Sequence, residues 1–347
     1  MAPTSLHRAA RVEDRVEAVL DRQLRRRGWV PRVVAYPGYG TDGWVRVLAR
    51  VLLGPPPRPG DPLRGSDPGR GWRRFLSATP VGVQVAVTVG GVTHELTTSR
   101  GGYVDAVLPA AVPPGWAEVT LRAERSPATV APVRIVGPDE RLGIVSDIDD
   151  TVLVTALPRP VRAAWNTFVR HESTRRPVAG MAGLYDALVA AGPDAPVVYL
   201  STGAWNVAPV LEGFLDRHGF PRGPLLMTDW GPTAEGWFRS GREHKRRELA
   251  RLVTDLPQLS WVLVGDDGQH DPQLYDEAVA AAPDHIRAVL IRELTAVEQV
   301  RTHGTPEPPA DARDTGRRTA AAVPVLRAPD GTGLLRAARA AGVLPPA

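Results

Sequence analysis

The sequence of 347 residues contains no cysteine, which excludes disulfide bonds and thiolate catalysis but leaves carboxylate and histidine metal sites open. It also has no apolar run of about 18 residues, the length that a membrane-spanning helix needs, so no transmembrane segment is expected. Residues 1–10 lack the apolar core of a secretory signal peptide. These absences together predict a cytoplasmic protein.

Charge of one sign is not in large excess either. The chain has 42 Lys and Arg against 38 Asp and Glu, a formal net charge of +4. Because no signature of a nucleic-acid-binding fold accompanies this small excess, no nucleic-acid partner is expected. Hydrophobic residues make up 43% and charged residues 23%, a globular composition, and the length favours two domains.

The first predicted domain, residues 1–138, joins an N-terminal helix to an all-β region. Apolar residues recur at helical spacing over residues 8–27, and Gly28 ends that helix. From Val30 to Val136 the pattern has period two, which predicts an antiparallel sandwich or barrel with strands at 44–53, 83–89, 103–108, 116–123 and 130–136. Gly-Gly pairs at 90–91 and 101–102 predict hairpin turns. This region carries no catalytic pattern and is interpreted as a binding or scaffold domain.

The second predicted domain, residues 139–347, alternates apolar strands with helices. Strands are predicted at 142–145, 197–200, 259–264 and 286–291, and helices near 181–191, 206–218, 242–254 and 272–281. Continuous apolar strands separated by helices are typical of a parallel sheet covered on both faces, a doubly wound α/β domain. A C-terminal extension adds a possible strand at 323–326 and a helix at 334–341.

Acidic and hydroxyl side chains follow three of these strands, where parallel sheets bind their ligands. Ser146-Asp-Ile-Asp-Asp-Thr151 follows the first strand, Ser201-Thr-Gly203 the second, and Gly265-Asp-Asp-Gly-Gln-His-Asp271 the third. Carboxylates that converge there would repel one another without a cation. Mg²⁺ prefers such hard oxygen ligands, whereas zinc is disfavoured by the missing cysteines and calcium by the missing EF-hand spacing.

The order of these motifs resembles the haloacid dehalogenase (HAD) superfamily. Asp147-x-Asp149-x-Thr151 resembles its motif I, Ser201 motif II, Lys245 motif III, and Gly265-Asp266 with Asp271 motif IV. A closer resemblance covers most of residues 141–300. It links the segments 146–151, 175–180, 205–206, 244–245 and 265–272 to the actin-patch-associated type of phosphatidate phosphatase. Thr202-Gly-Ala204 stands where that family commonly has Ser-Ser-Pro, so lipid specificity carries over less directly.

The resemblance implies a role for each residue. Asp147 is the expected nucleophile, which forms an aspartyl phosphate, and Asp149 the general acid and base. Ser201 and Lys245 are expected to stabilise the phosphoryl group. The expected substrate contacts are Thr151, Thr202, Gly203 and His270. The expected ligands of Mg²⁺ are Asp147, Asp149 through its backbone carbonyl, Asp266, Asp267 and Asp271, and the sequence leaves open which of the last three bind directly.

Several alternatives stay open for the substrate. Phosphatidate is the leading substrate, which would place the protein peripherally on a membrane. A phosphatase for a soluble sugar, nucleotide or protein phosphate is the first alternative, and a catalytically silent binding or scaffold module is the second. The segment between Thr151 and Gly180, with Trp165 and Phe168 among arginines, is interpreted as a lid or as a helix packed on the core.

Overall fold

This computed structural model describes residues 22–55, 82–154, 176–192, 194–228, 234–268, 270–295, 298 and 323–346. The chain divides into two compact units, Met1–Gly137 and Pro138–Ala347. The division falls next to the predicted domain boundary after residue 138. Within the described ranges, every helix is too short or too polar to cross a bilayer.

The first unit contains one seven-stranded sheet in the order β4-β3-β6-β7-β1-β2-β5. Its strands are β1 (Val30–Thr41), β2 (Trp44–Gly54), β3 (Gln84–Val89), β4 (Val92–Thr97), β5 (Tyr103–Pro109), β6 (Gly115–Ala123) and β7 (Thr129–Val136). Alternate side chains such as Val85 and Val87 are buried in its core, as period two requires. The sheet is mixed rather than purely antiparallel, because β7 docks beside β1 in the same direction. A sandwich or barrel arrangement stays a prediction.

Only one of the two Gly-Gly pairs forms the hairpin turn that the sequence predicts. Gly90 and Gly91 connect the hairpin β3–β4 with φ of 55° and 79°, which confirms the predicted turn. Two left-handed residues in a two-residue loop form the turn that matches strand twist, and glycine adopts it without strain. The hairpin predicted at 101–102 is wrong. The strands on either side of it, β4 and β5, pair with β3 and β2 and lie at opposite ends of the strand order.

The predicted N-terminal helix lies mostly outside the described residues. Residues 22–26 are helical, and residues 8–21 of the predicted span are not described. The candidate strands of the first unit did not include β1, which lies in the region of period two, or β4. The buried and exposed positions of β4 do not alternate as regularly as those of β3. Without a clear period of two, this short segment does not stand out from a loop.

The second unit contains a six-stranded parallel sheet with helices between the strands, which confirms the predicted α/β architecture. Its elements are β8 (Leu142–Asp147), α1 (Met181–Ala191), β9 (Val197–Ala204), α2 (Ala208–Arg217), β10 (Leu225–Thr228), α3 (Ala234–Asp255), β11 (Ser260–Asp266), α4 (Asp271–Ala281), β12 (Ile286–Arg292), β13 (Val325–Ala328) and α5 (Gly331–Ala340). Strand β10 was not predicted, because four residues are too few to show a period.

The strand order is β10-β9-β8-β11-β12-β13, so the direction of winding reverses between β8 and β11. Connections leave the two strands toward opposite sides at such a point and open a crevice beyond their carboxyl ends. Asp147 is the last residue of β8 and Asp266 the last residue of β11. The topology therefore brings these two carboxylates to the crevice from separate parts of the sequence.

The C-terminal helix docks tightly against the start of α1. The backbone N–H of Gly331 donates to the Ala179 carbonyl at 2.9 Å. A Cβ atom added at Gly331 would lie 2.3 Å from both the Gly180 carbonyl carbon and the Met181 nitrogen. These neighbours are backbone atoms, which cannot rotate away as a side chain would.

We therefore expect Gly331→Ala to lower the free energy of unfolding by about 1–3 kcal/mol, the usual cost of overpacking. Gly183→Ala is the matched control in α1, since an added Cβ there meets nothing within 4 Å. It should raise stability by roughly 0.5–1 kcal/mol through the better helix propensity of alanine. Urea denaturation measures both variants, and equal effects would contradict the close backbone contact.

Candidate active site

Three buried carboxylates meet at the crevice of the second unit. Asp147, Asp266 and Asp271 are each at most 1% exposed. One oxygen from each lies within 4.8 Å of the others. Asp147 and Asp266 arrive at the ends of neighbouring strands, and Asp271 is the first residue of α4, directly after the loop that follows β11. Local backbone geometry therefore aims all three at one point.

Lys245 on α3 reaches this cluster from the side. Its Nζ donates to Asp147 Oδ1 and to Asp271 Oδ1, both at 2.7 Å, and the residue is 5% exposed. The Thr151 hydroxyl lies 3.2 Å from Asp266 Oδ2 and 3.4 Å from Asp147 Oδ2. Asp266 Oδ1 also accepts a hydrogen bond from the Gly268 backbone at 2.8 Å. These contacts hold the carboxylates in fixed orientations.

The cluster is short of positive charge. Burial raises the pKa of Asp147 to about 8; the ammonium of Lys245 opposes this shift, and the charges of Asp271 and Asp149 add to it. Burial also raises the pKa of Asp266, and the charges of Asp271 and Asp147 raise it further. Burial acts to lower the pKa of Lys245, but the two carboxylates outweigh it and raise that pKa above its usual value. When all three carboxylates are ionised, the single ammonium of Lys245 leaves two of their negative charges uncompensated.

The donor set fits a divalent cation. All of its side chains offer carboxylate oxygens, the ligands that hard cations prefer. Asp271 Oδ2 is buried and accepts no hydrogen bond from the part of the chain that the structure describes. A buried acceptor without a donor is costly unless a cation occupies its lone pairs. The three carboxylates thus form a group that could hold such an ion.

One of the predicted metal ligands, Asp267, lies outside this group. The Asp267 side chain points to the backbone of the β12 end, where its Oδ1 accepts a hydrogen bond from Leu294 N at 2.8 Å. Among the described residues, the three clustered carboxylates include neither Asp267 nor Asp149. The ligand expected from Asp149 is its backbone carbonyl, so that expectation stays a prediction. Asp149 is half-buried in the loop after β8, where its backbone forms a bridge with Leu153. The grouping agrees with direct binding by Asp266 and Asp271, and which acids bind the metal stays a prediction.

The predicted phosphate contacts lie at the same edge of the sheet. Ser201 is fully buried on β9, next to β8, and its Oγ accepts a hydrogen bond from Gly203 N at 3.0 Å. The carbonyls of Thr202 and Gly203 accept from the Thr228 hydroxyl at 2.8 and 3.1 Å. His270 is exposed immediately before α4. Their roles as substrate contacts stay predictions.

One buried residue near the site was missed by the sequence analysis. Arg292 ends β12 and donates to the backbone carbonyl of Asp150 at 2.6 Å. The available signal was a charged residue that closes an apolar strand at the same sheet edge as the acids. The segment interpreted as a lid or packed helix, with Trp165 and Phe168, lies outside the described residues.

Comparisons with known proteins point to one family. Residues 142–293 match the family model described as the catalytic domain of phosphatidate phosphatase APP1. Phosphatidate phosphatase APP1 of Saccharomyces cerevisiae is 26% identical over 152 residues, which is 44% of this chain and 26% of that protein. The uncharacterized protein C29B5.04c of Schizosaccharomyces pombe is 25% identical over 154 residues, 44% of this chain and 25% of that protein. The chain spans about a quarter of the length of these curated relatives.

The likeness to one similar solved structure is weak. A carbohydrate acetylesterase from Xanthomonas citri is 11% identical and covers 89% of this chain and 74% of that chain, with a TM-score of 0.27. A score this low does not indicate a common fold. The similarity that carries information is therefore the one in sequence over residues 142–293.

Proposed function

We propose that this chain is a Mg²⁺-dependent phosphatase of the HAD superfamily with phosphatidate as its substrate, because residues 142–293 match the family model of the APP1 catalytic domain. The products are diacylglycerol and phosphate. The observation that carries this proposal is the meeting of Asp147, Asp266 and Asp271 beside Lys245. Such a site pairs a carboxylate nucleophile with the positive charge that an anionic phosphate ester requires.

The proposed reaction has two steps. A carboxylate oxygen of Asp147 attacks phosphorus as the bond to the leaving alkoxide breaks, and Asp149 gives that alkoxide its proton. Water then attacks the phosphorus of the aspartyl phosphate and gives a proton to Asp149. The bond between phosphorus and the Asp147 oxygen breaks, which frees phosphate and regenerates the Asp147 carboxylate. Lys245, at 2.7 Å from Asp147, fixes the nucleophile's rotamer and offsets the negative charge that would repel the substrate. The Ser201 hydroxyl is the proposed donor to a phosphoryl oxygen.

Asp147, Asp266 and Asp271 are the side chains that would hold the ion. When bound, Mg²⁺ supplies positive charge that neutralises the carboxylates and the phosphoryl oxygens. Lys245 and Thr151 already fix the orientation of these carboxylates, so little rearrangement of the chain is required. Thr202, Gly203 and His270 are the proposed contacts to the rest of the substrate.

Phosphatidate is supported by the name of the yeast relative, which describes that protein as a phosphatidate phosphatase. The test is phosphate release from phosphatidate in vesicles, lysophosphatidate and sugar phosphates, with Mg²⁺ or with a chelator. We expect phosphatidate to be preferred and the chelator to abolish release. A preference for sugar phosphates would favour the soluble-substrate alternative, and no release from any compound would favour a silent scaffold.

The proposal also covers the role of the N-terminal unit and the location of the protein in the cell. Residues 1–138 are proposed to form a separate β domain with a binding or scaffold role. A phosphatidate substrate would place the protein in the cytoplasm, at a membrane surface. Co-sedimentation with phosphatidate vesicles, compared between the full chain and a chain lacking residues 1–138, tests both statements.

Binding of the cation should also stabilise the folded protein. Titrating Mg²⁺ to about 100 times its dissociation constant should stabilise the wild-type protein by about 2.7 kcal/mol, because the ion binds the folded state. Asp266→Asn should largely remove this shift. Asp267→Asn is the matched control, since its side chain bonds to Leu294 instead, and it should keep the shift. Thermal unfolding with and without Mg²⁺ measures both, and a lost shift only in Asp267→Asn would reverse the assignment.

A further inference from the structure

Arg292 ties the loop after β8 to two other parts of the second unit. The residue is 4% exposed at the end of β12. Its Nη1 donates to the Asp150 carbonyl at 2.6 Å, its Nε to the Pro329 carbonyl at 3.3 Å, and its Nη2 to Glu298 Oε1 at 2.6 Å. A guanidinium presents several donors in one rigid plane, so a single side chain satisfies three acceptors at once.

The loop that Arg292 contacts adopts a backbone conformation that needs support. Asp150 has a φ of 59°, the left-handed region that residues other than glycine rarely adopt. Such residues persist where the surroundings determine their conformation. The Asp150 N–H donates to the Leu153 carbonyl at 2.9 Å, and its own carbonyl accepts from Arg292. Both peptide groups of Asp150 are therefore fixed.

The residues on either side of Asp150 belong to the proposed reaction. Asp149 precedes it as the general acid and base, and Thr151 follows it with its hydroxyl between Asp147 and Asp266. The fixed peptide groups on both sides of Asp150 determine where Asp149 and Thr151 lie. The contact to Arg292 therefore helps to set the positions of both residues. A displacement of about 1 Å of such groups lowers a rate by about 10²-fold.

We propose that Arg292 is a positioning residue for this phosphatase: it holds the Asp150 carbonyl and thereby places Asp149 for proton transfer to the leaving oxygen. The inference rests on the function proposed above. Arg292 acts through the loop and makes no contact with the reacting atoms itself. Its role is thus distinct from that of Lys245, which touches the nucleophile directly.

Arg292 also donates to the Pro329 carbonyl, so the C-terminal segment helps to hold Arg292 in place. Pro329 follows β13, which pairs with β12 through Arg292 and Ala328. These C-terminal residues lie beyond the matched range 142–293. Arg292 therefore joins the catalytic loop to a part of the chain that the family match does not include.

The test compares Arg292→Gln with Arg287→Gln, a matched control on the same strand that donates to the Val343 carbonyl at 3.2 Å. For an alkyl phosphate, Arg292→Gln should lower kcat/KM by about 10²-fold. For p-nitrophenyl phosphate the loss should be much smaller, because its leaving oxygen needs little protonation. Arg287→Gln should leave both values near wild type. An equal loss with both substrates, or a loss that only follows the fraction of folded protein, would overturn the proposal.

A second experiment, hydrogen exchange of backbone amides, does not depend on enzymatic activity. Arg292→Lys keeps the charge but not the plane of donors, so it should fold and still loosen the loop. The Val152 and Leu153 amides, which donate to the Ile148 carbonyl at 2.9 and 3.2 Å, should exchange hydrogen faster than in Arg287→Lys. Wild-type exchange rates there would overturn the proposal. If the wild-type protein released no phosphate at all, the proposed function would fail, while this arm would still report whether Arg292 holds the loop.

Discussion

Replacing Asp147 by Asn is expected to lower phosphate release by at least about 10⁴-fold, since removing a nucleophile leaves only binding and electrostatic effects. The amide keeps the shape of the side chain but cannot form the aspartyl phosphate. The fold should persist, because the amide oxygen can still accept a hydrogen bond from Lys245, which also keeps its contact to Asp271. Steady-state phosphate release measures the loss.

The stability of this variant is a second readout. Asp147 is one of three buried acids that face one ammonium, so its replacement relieves repulsion in metal-free buffer. We expect thermal unfolding of Asp147→Asn at or above the wild-type temperature without Mg²⁺. Asp267→Asn is the control of identical chemistry outside the cluster and should retain most activity. Wild-type turnover by Asp147→Asn would show that another residue is the nucleophile.

Replacing Lys245 by Met should have the largest effect on stability. The ammonium is buried and pairs with two carboxylates at 2.7 Å, and removal of one partner from a buried ion pair costs about 3–5 kcal/mol. Activity should fall as well, because Asp147, the proposed nucleophile, loses its orienting donor. Chemical denaturation in metal-free buffer measures the destabilisation.

The control on the same helix is Arg247→Met. Arg247 pairs with Glu248 at 3.2 Å; the Glu248 side chain is 4% exposed, but that of Arg247 is 66% exposed and screened by water, so its loss should cost clearly less than the loss of Lys245. Adding Asp147→Asn to Lys245→Met should recover part of the lost stability, because one fewer carboxylate is left unpaired. If Lys245→Met cost no more than Arg247→Met, the buried ion pair would not have the importance assigned to it.

The sequence predicted the strands that carry the site and the acids at their ends, because both depend on local patterns. Apolar runs marked the strands β8, β9, β11 and β12, and parallel strands place their carboxyl ends at one edge. Asp147, Asp266 and Asp271 followed from that rule and from the order of the motifs. Lys245 needed the resemblance, since within a run of cations nothing in the sequence distinguishes the one that turns inward.

What the sequence could not predict depends on tertiary contacts. Asp266 and Asp267 are adjacent acids after one strand, and only the course of the loop decides that Asp267 turns to Leu294. The importance of Arg292 likewise depends on a carbonyl that is distant in sequence. The turn at Gly101 and Gly102 looked like a hairpin because glycine pairs permit several turns, and strand pairing decides among them.

Detection of the covalent intermediate tests most directly whether Asp147 takes the phosphoryl group at the carboxylate cluster. The wild-type protein is quenched in acid during turnover of phosphatidate with Mg²⁺, and its peptides are mapped by mass spectrometry. This role of Asp147 predicts one added phosphoryl group on the peptide that contains it, and none when Mg²⁺ is chelated. A phosphoryl group on any other residue, or turnover that leaves Asp147 unmodified at every quench time, would contradict it.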